Sequence, residues 1–116
     1  MAYTQNKNFT ATSAGFGQMG SVFITGTSAV TSNTLSDFKD AVFCAITFLE
    51  DTKFADANGL VAEKQQHFIN SDGVQDGISG NTAVTNGEVF PKGVTIYGRW
   101  TKITLATGKV IAYIGY

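Results

Sequence analysis

The sequence predicts an all-β protein, a small antiparallel β-sandwich or barrel with an extended N-terminal arm. Three observations carry that expectation. Short runs rich in Val, Ile, Thr, Tyr and Phe recur along the chain. Glycine-bearing turn pairs such as Asn58-Gly59, Asp72-Gly73, Asp76-Gly77 and Asn86-Gly87 punctuate them. No long stretch holds a convincing helical period, so strands must supply the core.

Residues 1–20 are polar and glycine-bearing, with Tyr3, Phe9, Phe16 and Met19 set among them. Such a stretch is too irregular for a core element, yet it carries more apolar anchors than a purely disordered tail. It reads as an arm that orders against its own domain or a neighbour, and those four residues are its candidate interface positions. The remaining residues, 21–116, read as one β-domain. Gly20–Thr27 is the first strand, with Val22 and Ile24 on one face and Phe23 and Thr25 on the other. Ser28–Thr34 reads as a loop.

Leu35–Glu50 is ambiguous. Leu35, Phe38, Val42, Ile46 and Leu49 fall at helical spacing, and Ser36 could cap a helix. The nearly unbroken apolar run from Val42 to Leu49 favours a strand buried on both faces. The expectation is therefore a central strand over Val42–Glu50, with one helical turn at Leu35–Lys39. Val42, Cys44, Ile46 and Phe48 become core anchors. Cys44, the sole cysteine, forms no internal disulfide and reads as a small buried thiol.

Ala57–Ala62 and Ala83–Phe90 adjoin the two Asn-Gly pairs and read as hairpin arms. Glu63–Gly80 between them is polar, with Phe68-Ile69 as its apolar anchor. Pro91, the only proline, stands where a strand would enter. Then follow two strands, 93–105 and 109–115, joined at Ala106-Thr107-Gly108 as a C-terminal hairpin. Val94, Ile96 and Trp100 share one parity whereas Ile103 and Leu105 take the other. A β-bulge near Gly98 or Thr101-Lys102 would reconcile them. Ile96 and Trp100 are core anchors of this hairpin. Arg99, Tyr113 and Tyr116 are its candidate interface residues, since Arg and aromatics dominate binding hot spots. A strand as apolar as Tyr113-Ile114-Gly115-Tyr116 calls for cover from its own sheet or a neighbouring chain.

Composition narrows the function classes. The 116 residues make one domain, and roughly two-thirds of the extended-chain surface is buried at this size. Only 15% of residues are charged, against about 25% in a typical domain. The net charge is −1 with no basic run, which argues against a nucleic-acid partner. No apolar stretch is long enough for a spanning helix, and the N-terminus lacks the layout of a signal peptide. No membrane partner and no export are expected.

Motifs for catalysis do not assemble. Gly15-Phe16-Gly17-Gln18-Met19-Gly20 matches a dinucleotide fingerprint by letter, but a strand rather than a helix follows it. Asn70–Asp76 lacks calcium-loop spacing and its bidentate Glu, so turn chemistry explains it better. His67 stands alone in a polar run, insufficient for a zinc site or a Ser/His/Asp group. The sequon Asn8-Phe9-Thr10 has no export signal to make it a modification site. The expectation is a non-enzyme without cofactor or metal.

Phe90–Thr101 and Ile103–Tyr113, together with Phe43–Phe54, resemble small virion proteins encoded by tailed bacteriophages, particularly marine ones. These stretches cover about a third of the chain. The resemblance implies a virion structural protein on the capsid exterior, made in the host bacterial cytoplasm. In that role a decoration (cement) subunit binds the major capsid protein of the assembled shell, as a homo-oligomer with a trimer favoured by local three-fold symmetry. A tail, neck or fibre-tip subunit is the alternative. A carbohydrate-binding β-module is another, read from Tyr97, Trp100 and Tyr113 in the last two strands.

Overall fold

The computed structural model describes residues 19–34 and 40–115. Among these residues eight strands form: β1 (Ser21–Ile24), β2 (Val30–Thr31), β3 (Val42–Phe48), β4 (Lys53–Phe54), β5 (Leu60–Ala62), β6 (Thr95–Ile103), β7 (Leu105–Thr107) and β8 (Val110–Gly115). Among the described residues the helical content is a single 3-10 turn at Ser32–Thr34. Every strand pair is antiparallel. The main sheet rolls into a nearly closed, barrel-like layer, as the sequence predicts. Residues 1–18 of the expected arm, with Tyr3, Phe9 and Phe16, lie outside the described residues, as do the helical turn expected at Leu35–Lys39 and Tyr116.

Neighbouring strands run in the order β1, β8, β3, β6. Phe43 and Ala62 both pair with Trp100, so β3 and β5 hold opposite edges of β6. β2 and β5 both meet Lys102 and Ile103, so β2 takes up the edge that β3 has left. That pairing gives order to part of the expected Ser28–Thr34 loop. β4 and β7 form a separate two-stranded ribbon.

β3 is central, as its apolar run predicts, with burial on both faces. The C-terminal hairpin is corrected. Both of its strands form, but β6 and β8 do not pair with each other; each pairs with β3, which lies between them. The middle position hydrogen-bonds both edges of the most apolar strand. The chain leaves β6 at Thr104 and enters β7, which pairs with β4 instead.

The parity shift in β6 resolves as two bulges. One extra residue lies between Tyr97 and Trp100 opposite β3, and another between Trp100 and Lys102 opposite β5. Against β8 the extra residue is Cys44 itself, since Phe43 and Ala45 face the adjacent Ile114 and Tyr113. Cys44 is therefore half-buried, not the core thiol expected. Its Sγ lies 3.5 Å from the Tyr113 carbonyl, and burial pushes the thiol pKa up.

The Asn-Gly expectation is also revised. Asn58 takes the predicted positive φ of 58°. Its turn separates β4 from β5, which pair with β7 and β6 rather than with each other. Ala83–Phe90 forms no strand; it supplies the isolated bridge Thr52–Phe90 and the buried Val84.

The core gathers Ile24, Phe43, Ile46, Phe48, Phe54, Leu60, Trp100, Ile103, Leu105, Val110 and Ile114. Phe48, Phe54 and Phe90 make a three-ring cluster with centroids 5.1–5.9 Å apart. Trp100 is fully buried and its Nε1–H donates to the Ile69 carbonyl at 2.8 Å. Its indole lies over Gly98, where an added Cβ would come within 2.8 Å of the ring. Val42, Ile46 and Phe48 are buried as expected, whereas Ile96 is half-buried against the cluster.

The long segment between β5 and β6 folds through local polar chemistry. Asn70 is 2% exposed. Its Nδ2 donates to the Gln65 and Phe68 carbonyls, and its Oδ1 accepts the Asp72 N–H. Ser71 Oγ accepts the Leu60 N–H, and Asp72 Oδ1 accepts the Asn58 N–H. These side chains hold backbone, as the turn reading of Asn70–Asp76 expects.

Candidate interaction surface

Alternation along the strands gives the main sheet a second, outward face. Phe23, Ile111, Thr47 and Thr95 stand side by side on β1, β8, β3 and β6. The next row is Ser21, Tyr113, Ala45 and Tyr97. The Thr47 and Thr95 hydroxyls share a hydrogen bond at 2.8 Å. Phe23 is 64% exposed and Tyr97 75%, while Tyr113 is half-buried and Ala45 only 6% exposed. The floor is thus closed and two aromatic rings stand open above it.

Toward one end this face is covered. Met19, Val42 and Ala45 are buried, yet all three fall outside the main core cluster. Val42 pairs with Gly115, in the row beyond Tyr113. Met19, expected as an interface residue of the arm, is 3% exposed and belongs to the buried side of the domain. A recess of about 250 Å³ is lined by Ser32, Asn33, Asp40, Val42, Glu63 and Thr101.

Arg99 sits at the β6 bulge and forms a bidentate pair with Glu63, Nε to Oε1 at 2.8 Å and Nη2 to Oε2 at 3.1 Å. The hydrogen bond to Arg99 holds the Glu63 carboxyl below its ordinary range, and the same bond raises the Arg99 guanidinium. Because the Glu63 pKa is depressed in the folded state, its stabilisation is present above the ordinary carboxylate value. It is lost as pH falls through the depressed value. Both side chains are about a third exposed, so the pair is worth at most about 1 kcal/mol. Urea midpoints measured from pH 7 down to pH 3 should fall less for Glu63→Gln than for the parent. Parallel curves would mean that the pair adds no pH-dependent stability.

Of the sequence-predicted interface residues, Tyr113 lies on the open face and Arg99 beside it, committed to Glu63. Tyr3, Phe9, Phe16 and Tyr116 lie outside the described residues. Trp100 is fully buried and cannot serve as a binding platform. Phe23 was absent from that set although its alternation against Val22 and Ile24 already placed it outward. Exposed Ile69, Val74, Ile78 and Val89 lie on the long segment, and Leu49 and Val94 flank the backbone bond from Phe48 N–H to the Val94 carbonyl. His67 is exposed, edge-on to Phe68. Among the described residues, no three His, Cys, Asp or Glu side chains gather as a metal site, and no helix is long and apolar enough to cross a membrane.

Compared with known proteins, the chain matches no family model, no curated protein and no solved structure.

Proposed function

We propose that this chain is a non-enzymatic structural subunit of a tailed-bacteriophage virion, a capsid decoration protein that binds and stabilises the assembled shell. The observation that carries the reading is the amount of large apolar surface left open on so small a domain. Leu49, Ile69, Val74, Ile78, Val89 and Val94 are all more than a third exposed. Charged residues make up only 15% of the chain, too few to screen that surface from association. A subunit held by neighbours in a lattice has this chemistry, with apolar patches that become interface and a hydroxyl- and amide-rich remainder. The choice of lattice rests on the resemblance of Phe43–Phe54, Phe90–Thr101 and Ile103–Tyr113 to phage virion proteins.

The partner is the major capsid protein, and the subunit acts as a homotrimer at local three-fold positions. Binding that occurs only on the assembled shell stabilises the shell by mass action. Purified virions should carry the chain at a copy number comparable to the capsid protein, and shells stripped of it should rupture at lower temperature. A handful of copies confined to the tail vertex would overturn this reading in favour of a tail, neck or fibre-tip subunit.

A further inference from the structure

We propose that Tyr97 and Tyr113 form a stacking platform for a neutral polysaccharide. Both residues pair directly with Ala45, so their side chains stand on the same face, one on either side of β3. Two strand spacings separate them, about 9.5 Å, the span of roughly two linked sugar rings. Ala45 between them is small and 6% exposed, so the two rings rather than the strand between them supply the contact surface.

Charge selects the ligand class. The two outward rows, Ser21, Tyr113, Ala45 and Tyr97 with Phe23, Ile111, Thr47 and Thr95, contain no acid and no permanent cation. A phosphate-bearing polymer or an anionic lipid surface would need positive charge at this place. The guanidinium on the same strand as Tyr97, that of Arg99, is held bidentately by Glu63. An uncharged sugar chain matches instead: the C–H face of a ring covers an aromatic face, and its hydroxyls meet the Thr47–Thr95 pair and Ser21. Tyr97, at 75% exposure, offers its ring without rearrangement. The same exposure makes the site testable, because truncating Tyr97 removes little packing.

Full-length protein is passed over cellulose, chitin and peptidoglycan and over an array of neutral bacterial surface glycans. The oligosaccharide of any retained polymer is then titrated. The expected result is retention on a neutral glycan, about tenfold weaker in Tyr97→Ala with an unchanged unfolding temperature, and regained in Tyr97→Trp. Retention on none of these polymers overturns the proposal, as does binding by Tyr97→Ala equal to the parent. Glycan-independent loss of self-association in Tyr97→Ala and Phe23→Ser, with no sugar bound, would assign the face to a second copy and overturn it as well.

Discussion

Replacing Trp100 with alanine is expected to destabilise the fold by about 3–5 kcal/mol, a large fraction of what a domain this size holds in reserve. The indole is fully buried, lies over Gly98, and sits where β3, β5 and β6 meet, paired to Phe43 on one side and Ala62 on the other. Its removal opens a cavity at that junction and leaves the Ile69 carbonyl without its 2.8 Å donor. Trp100→Phe keeps most of the volume and loses the hydrogen bond, so its cost should be smaller, about 1–3 kcal/mol. Urea unfolding followed by far-ultraviolet circular dichroism measures both. A loss below about 1 kcal/mol for the alanine variant would mean that the indole does not anchor the barrel.

Gly108→Ala should be strongly damaging for so small a change. Gly108 holds φ +105°, and a Cβ there would stand 2.7 Å from Thr52 Cα and close on Thr52 Oγ1. Thr52 cannot yield easily. It is fully buried, its backbone bonds Phe90 in both directions, and its hydroxyl donates to the Glu50 carbonyl at 2.7 Å. Backbone strain adds about 1–3 kcal/mol and overpacking about another 1–3 kcal/mol. Gly93→Ala separates the two causes, since Gly93 has φ +90° with nothing near a new Cβ. It should show only the strain. Equal unfolding midpoints for the two variants would remove the contact with Thr52 from the explanation.

Strand period was legible in β3 and β6. The run Val42–Phe48 announced a strand with two buried faces, and the parity break between Trp100 and Ile103 announced bulges where they occur. Pairing was harder to read, because adjacency in the chain suggested a β6–β8 hairpin. β3 takes the space between them through contacts distant in sequence. The Asn-Gly letters fixed a turn conformation at Asn58 but not which strands that turn would join. Polar composition hid the burial of Asn70, whose amide satisfies the bends around it. On the candidate surface, Tyr113, expected at an interface, lies half-buried on the outward face. Trp100 is buried, as its reading as a core anchor expects, and Tyr97, an odd number of residues away on the same strand, stands exposed on the other side of the sheet.

The placement of β3 also dictates when the molecule can become itself. Its two hydrogen-bonding neighbours, β6 and β8, both follow it in the chain, so a nascent chain carrying Val42–Phe48 out of the ribosome has no partner for either edge until they emerge. Maturation therefore waits for the C-terminal residues, and closing such distant segments is slow. During that interval the stickiest stretch of the polypeptide is exposed, which makes the newborn protein a natural client for chaperones.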